Sequence, residues 1–241
     1  MAFYADFYLF TFDAEGKQHS NYTQKRAGRS VQFDLAGAVL VELTLHNRLK
    51  LSDDGKRLEV MDSSSLDNPL LDSALYFLAG HDARGDWLLE ARIAGELGEA
   101  VNPELYVRDA CIAGGWIQMR EERRLFGSST SPILTNQSQR AAVYDKLRAV
   151  ISQNATPDPA TAMLLLYLQV CSLTDQMVTR KEETALQNAT DRLFPRWMPK
   201  RGNEIGLVDL AGVAPYSQAV LSPLIIGIGS GFSSYHIPSD R

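Results

Sequence analysis

Residues 35–51 read LAGAVLVELTLHNRLKL, with apolar or small side chains around almost the whole helical circumference and one acid, Glu42. An apolar surface on every side, rather than on one stripe, predicts a central helix contacted from several directions. The run passes through His46, Asn47 and Arg48 into the alternating Leu49, Lys50 and Leu51. In RLKLSDDGKRLEVMD two alternating stretches flank Asp-Asp-Gly, which predicts a hairpin. SLDNPLLDSALYFLAG offers Asp67 or Asn68 as a cap and Pro69 in the first turn. Leu70, Leu71, Ala74, Leu75 and Leu78 then form one apolar face, and Gly80 stands where a helix would stop.

DWLLEARIAGEL predicts a further amphipathic helix, and residues 104–113 another, ended by Gly114 and Gly115. WIQMREERRLFG reads as extended, with SSTSPI as turn and return strand. Helices follow over residues 136–152, from Asp158 and Pro159 through AMLLLYLQV, and through RKEETALQNATDRLF. At the N-terminus FYLFTF, residues 7–12, is aromatic and β-branched and ends at DAEGK, which predicts a strand. Residues 16–33 carry Lys17, Lys25, Arg26 and Arg29 with no acid, and read as a polar connection.

Together these elements predict a mainly α fold: a central helix bundle ringed by amphipathic helices, with two short β-hairpins, in one domain over residues 1–241. No strand–helix alternation suggests a parallel sheet. The order helix, tight stop, strand, turn, strand occurs twice, at LTLHNRLKL and at CIAGGWIQM, in a winged-helix-like arrangement. The last forty or so residues mix Gly, Pro and apolar positions and yield no element.

Composition narrows the function. The 241 residues suffice for a core without disulfides or metal, and a net charge of −5 argues against general nucleic-acid binding. Cys111 and Cys171 each lie in apolar helical pattern and read as small core residues. His19, His46, His81 and His236 show no metal-ligand spacing. GIGSGF does not follow a strand and open a helix, GSSTS is no nucleophile elbow, and Asp53 and Asp54 suit a hairpin turn. No catalytic residue, cofactor or metal is expected. No basic region precedes an apolar run near Met1, and AVLSPLIIGIGSGF is too short and too rich in Gly and Pro for a membrane span. A cytoplasmic protein, able to sit peripherally on a membrane, is the expectation.

FDLAGAVLVELTLHNRLKL, DNPLLDSAL, YVRDACIAGGWI with REERRLFG, and PDPATAMLLLYLQVCSL, in that order over residues 7–190, resemble the Golgi phosphoprotein 3 family. The resemblance implies a mainly α fold with a protruding hairpin, and a Glu at position 42 that is a buried or half-buried structural acid, hydrogen-bonded or paired and not a catalyst. It further implies binding to phosphatidylinositol 4-phosphate and to protein tails, and an apolar hairpin for membrane insertion and self-association. The family's pocket Trp and helix-start Arg align with Ala27 and Ala36, so both are replaced; Arg108 matches the first Arg of a V-R-x-R motif, with Ala110 at the second. Substitute anion-binding candidates are Arg26 and Arg29 before the central helix, where the alternative is a solvated basic loop. Arg120, Arg123 and Arg124 beside Leu125 and Phe126 form a hairpin suited to an anionic membrane or to self-association, or one salt-bridged by Glu121 and Glu122. Trp197 in FPRWMPKRG suits either a membrane interface or a core. The expected function is a non-enzymatic module docking to anionic lipid or phosphoinositide headgroups. The rival is a protein-binding scaffold or regulator, which the loss of Trp and Arg favours. A homo-oligomer fits either, and no nucleic-acid partner is expected.

Overall fold

The computed structural model describes residues 2–19, 31–51, 58–82, 91–124, 127–171, 173–174 and 177–193. Among them the fold is mainly α, with eight helices and two antiparallel hairpins. α2 (Val31–Leu45) buries twelve of its fifteen residues, so it has no face to offer solvent. α1 (Phe3–Phe10), α3 (Pro69–Asp82), α4 (Ala91–Val101) and α5 (Pro103–Ala113) close around it. α6 (Ser138–Gln153) and α7 (Pro159–Val170) cover the other side of α1, and α8 (Glu183–Leu193) lies against both.

The strand expected over residues 7–12 is instead the second half of helix α1. Phe7, Tyr8, Leu9 and Phe10 are all fully buried, and seven of the eight residues of α1 are buried. A segment covered on every side carries no periodicity, so residue preference was the remaining signal, and packing overrode it. What remains extended is a bridge between Phe12 and Gln18. Likewise, Val31, Gln32 and Phe33, read as the end of a polar connection, open α2.

Glu42 ties α1 to α2. Its carboxylate accepts the backbone N–H of Phe3, in the first turn of α1, where amides have no helical partner. His46 Nε2 lies 3.2 Å from the other oxygen. The acid is 7 % exposed, a buried and hydrogen-bonded structural carboxylate as expected from the sequence. Burial pushes its pKa up, while the Phe3 amide and His46 draw it back. Tyr167 makes a second tie: its hydroxyl donates to Asp34 O at 2.6 Å, and its ring meets Phe3 and Phe7 edge-on.

Asn47 ends α2 by adopting φ 55°, a left-handed turn that Asn tolerates, while Arg48 N–H donates to Leu43 O. The chain then enters β1 (Leu49–Leu51), paired with β2 (Leu58–Val60). Asn68 caps α3 by accepting from the Leu70 and Leu71 amides. Gly80 does not stop α3, which continues to Asp82. Asp158 caps α7, accepting from Thr161 N–H and Oγ1, with Pro159 in the first turn. Gly16, at φ 78°, lets the N-terminal turn lie on β4 (Gly127–Leu134); a Cβ there would come 2.4 Å from Leu134 O. The helix, tight stop, hairpin order does occur twice, yet buried α2 presents no recognition face.

Two stability measurements follow. Burial alone would raise the Asp158 carboxyl, but the Thr161 hydrogen bonds outweigh it and hold its pKa low. Its contribution is therefore complete above the unfolded carboxylate pKa and fades as pH falls through the folded one. In urea titrations at neutral pH Asp158→Ala costs about 1 kcal/mol, and the deficit shrinks in acid. Glu42 has the opposite sign: a raised folded pKa makes stability decline as pH rises from the unfolded pKa to the folded one. Glu42→Gln removes that decline in urea titrations across the same window, whereas Glu42→Ala also strands the Phe3 amide and costs roughly 1–3 kcal/mol.

Candidate functional site

The most prominent projection is the hairpin of β3 (Ile117–Arg124) and β4, eight residues in each strand. It grows from α5 through Gly114 and Gly115, the latter at φ 72°. Its root is held by Ile117 paired with Leu134, both buried. Gly16 O accepts from Leu134 N–H at 2.8 Å, and Lys17 bridges to Ile133. Beyond the root, Gln118, Met119, Arg120 and Glu121 are exposed.

The register places Arg120 opposite Ser131, Arg123 opposite Ser128 and Arg124 opposite Gly127. Glu121 and Glu122 face Thr130 and Ser129. The residues directly across from the arginines in this register are therefore not carboxylates. Lys17 lies close enough to Arg120 for the two charges to interact. The N-terminal turn thus adds a cation near the root, with Glu15 at 2.8 Å from the Lys17 ammonium. Leu125 and Phe126, between the strands, lie outside the described residues, as do Arg26, Ala27, Arg29 and Trp197.

Arg108 is not gathered into this arm. It sits on α5 with its Nε and one terminal nitrogen each 3.4 Å from Asp109 Oδ1. Glu104 lies a turn away, its carboxyl pushed up by burial and drawn back by Arg108. One arginine between two acids is a poor phosphate clamp, which needs converging positive donors. Nearby, the Tyr8 hydroxyl is buried without a hydrogen-bond partner among the described residues. Burial pushes the Cys111 thiol up to about 12, which leaves it inert at neutral pH.

Ala36, aligned with the family's helix-start Arg, is fully buried. A Cβ at Gly98 of α4 would fall 3.7 Å from the Ala36 methyl. This position belongs to the close contact of α2 with α4, so no headgroup reaches it. Gln32 on α2 donates to Gly98 O at 2.5 Å in the same contact.

Two surfaces were not read from the sequence. The outward side of α5 exposes Leu105, Tyr106 and Ile112. Between α3 and the end of α4 runs a groove of about 790 Å³, lined by Asp72, Ser73, Tyr76, Phe77, Ala79, Gly80, Ala100 and Val101. Tyr76 is 84 % exposed there. The available signal was Tyr76 and Gly80 standing off the Leu71, Leu75 and Leu78 face. Among the described residues no helix is long and apolar enough to cross a membrane, and no group of three or more His, Cys, Asp or Glu could hold a metal.

The Ala36 contact gives a direct test. Restoring the family's charge with Ala36→Arg buries an unpaired guanidinium and costs about 3 kcal/mol or more in urea unfolding. It creates no new headgroup affinity in vesicle sedimentation.

A search of curated proteins returns no match to the chain. The family model described as Golgi phosphoprotein 3 (GPP34) matches residues 4–203, which include both hairpins, α2 to α8 and all of α1 but its first residue. The chain therefore belongs to the Golgi phosphoprotein 3 family.

Proposed function

We propose that the protein is a non-enzymatic module that docks reversibly on anionic membrane surfaces through the β3–β4 arm. The observation that carries this reading is the arm itself. It comprises eight residue pairs, the first of them the buried root pair, and its β3 strand bears Arg120, Arg123 and Arg124 opposite uncharged partners. In sequence, Leu125 and Phe126 stand between the strands, directly after Arg123 and Arg124 and before Gly127, so an apolar dipeptide adjoins two basic residues. Anionic headgroups attract each juxtamembrane cation by about 1 kcal/mol, and a pair of apolar side chains adds burial in the interface. Family membership supports the same reading.

Headgroup recognition rests here on local charge rather than on the family's pocket. Ala36 is a core contact, and Arg108 stands between Glu104 and Asp109. This favours general attraction to anionic lipid over selection of one phosphoinositide. Arg26 and Arg29 remain candidate contributors by their place before α2.

A second reading, a protein-binding scaffold, is supported by Leu105, Tyr106 and Ile112 on the outward side of α5. One experiment separates the two. The full chain is sedimented with phosphatidylcholine vesicles containing phosphatidylserine, phosphatidylinositol 4-phosphate or no anionic lipid. Binding is expected to both anionic compositions at low salt and to weaken as salt rises. Neutralising Arg123 and Arg124 together weakens it by roughly 25-fold, about fivefold for each charge. Absence of binding to every anionic composition at low salt overturns the membrane reading and leaves the protein-binding one.

A further inference from the structure

We propose that the groove between α3 and α4 is a docking site for the chain's own apolar segment at residues 219–228, AVLSPLIIGI. This goes beyond membrane docking and does not depend on it. The groove is concave, and its walls combine exposed Tyr76 with Phe77 and Val101, while Ala79, Gly80 and Ala100 keep it open. A Cβ added at Gly80 would meet nothing within 4 Å, so a branched side chain can approach the helix backbone there. The charged residue at the groove, Asp72, is turned to its own loop: it accepts from Leu66 N–H at 2.7 Å and from the Ser65 hydroxyl at 2.7 Å. What the groove offers an occupant is therefore mainly apolar surface.

The occupant is chosen by composition and reach. From residue 210 to residue 239 the chain has no Asp, Glu, Lys or Arg, and residues 219–228 hold Val220, Leu221, Leu224, Ile225, Ile226 and Ile228. An apolar run of this kind in water calls for cover, as does an apolar groove. α8 ends at Leu193, and residues 194–218 intervene. Fully extended they span about 80 Å at ~3.3 Å per residue, against roughly 40 Å across a domain of the described size. Covalent tethering raises the segment's effective concentration at the groove to about the millimolar range, so a modest apolar contact suffices. Residues 204–241 also lie outside the span matched by the family model.

The test uses the full chain and limited proteolysis followed by mass spectrometry. Cleavage within residues 204–241 is expected to be slow in the wild type. Gly80→Trp fills the groove at a position with room for a side chain, and Ile226→Asp spoils the segment. Each should speed that cleavage roughly tenfold or more, because proteolysis tracks the released population. Thermal unfolding followed by helical circular dichroism should not move in either variant. A Gly80→Cys, Ile226→Cys double variant should form an intramolecular disulfide on oxidation. Cleavage equally fast in wild type and both variants, or a disulfide formed between two copies, overturns the proposal.

Discussion

A helix with no polar face has to be covered from every direction, and α2 imposes that constraint on this molecule. Twelve buried residues in fifteen leave α1, α3, α4 and α5 no alternative but to ring it. Burying one helix so completely is costly where it carries a carboxylate, and Glu42 is tolerated because it satisfies an orphan amide of α1. The same bond sets where α1 begins against α2. Tyr167 repeats the device from the other side, joining α7 to the backbone of α2 while its ring fills the space beside Phe3 and Phe7. The core is thus an apolar cluster with polar bonds at the few points where backbone would otherwise go unpaired.

This construction also determines where function can reside. Positions on α2 and on its contacts are consumed by packing, and Ala36 against Gly98 is the clearest case. A charged headgroup site at that place would require the α2–α4 contact to open. The elements that project from the core are left for binding: the β3–β4 arm with its arginines, the outward side of α5, and the groove above Gly80. The arm is anchored by Ile117, Leu134 and the Gly16 turn, and beyond that root Gln118, Met119, Arg120 and Glu121 of β3 are solvent-exposed.

The elements read correctly from the sequence are those with local punctuation. Asp158 with Pro159, Asn68 with Pro69, and Gly114 with Gly115 mark helix ends through hydrogen bonds made within four residues, so their chemistry is complete in the local sequence. Glu42 was legible for a different reason: one acid in an apolar circumference has to be buried and bonded. α1 was misread because eight residues buried on nearly all sides carry neither a period of two nor one of 3.6. Gly80 was misread as a stop because glycine marks both helix ends and open surface, and only the path of the next residues tells which. The arginines of the candidate site were visible as residue types, but their grouping was not. Arg120 shares its surroundings with Lys17, which precedes it by four helices and a hairpin, whereas Arg108 belongs with Glu104 and Asp109.

By itself, then, the sequence determined the mainly α class, the two hairpins, the central place of α2 and the family to which the chain belongs. Each follows from patterns within a few residues or from their order along the chain. The tertiary structure alone decided that residues 3–10 are helical, that the Ala36 position is a core contact rather than a ligand site, and that Tyr76 and Gly80 border a groove. Those outcomes depend on which segments meet across the fold, and a pairing between distant elements leaves no period, cap or turn in either one.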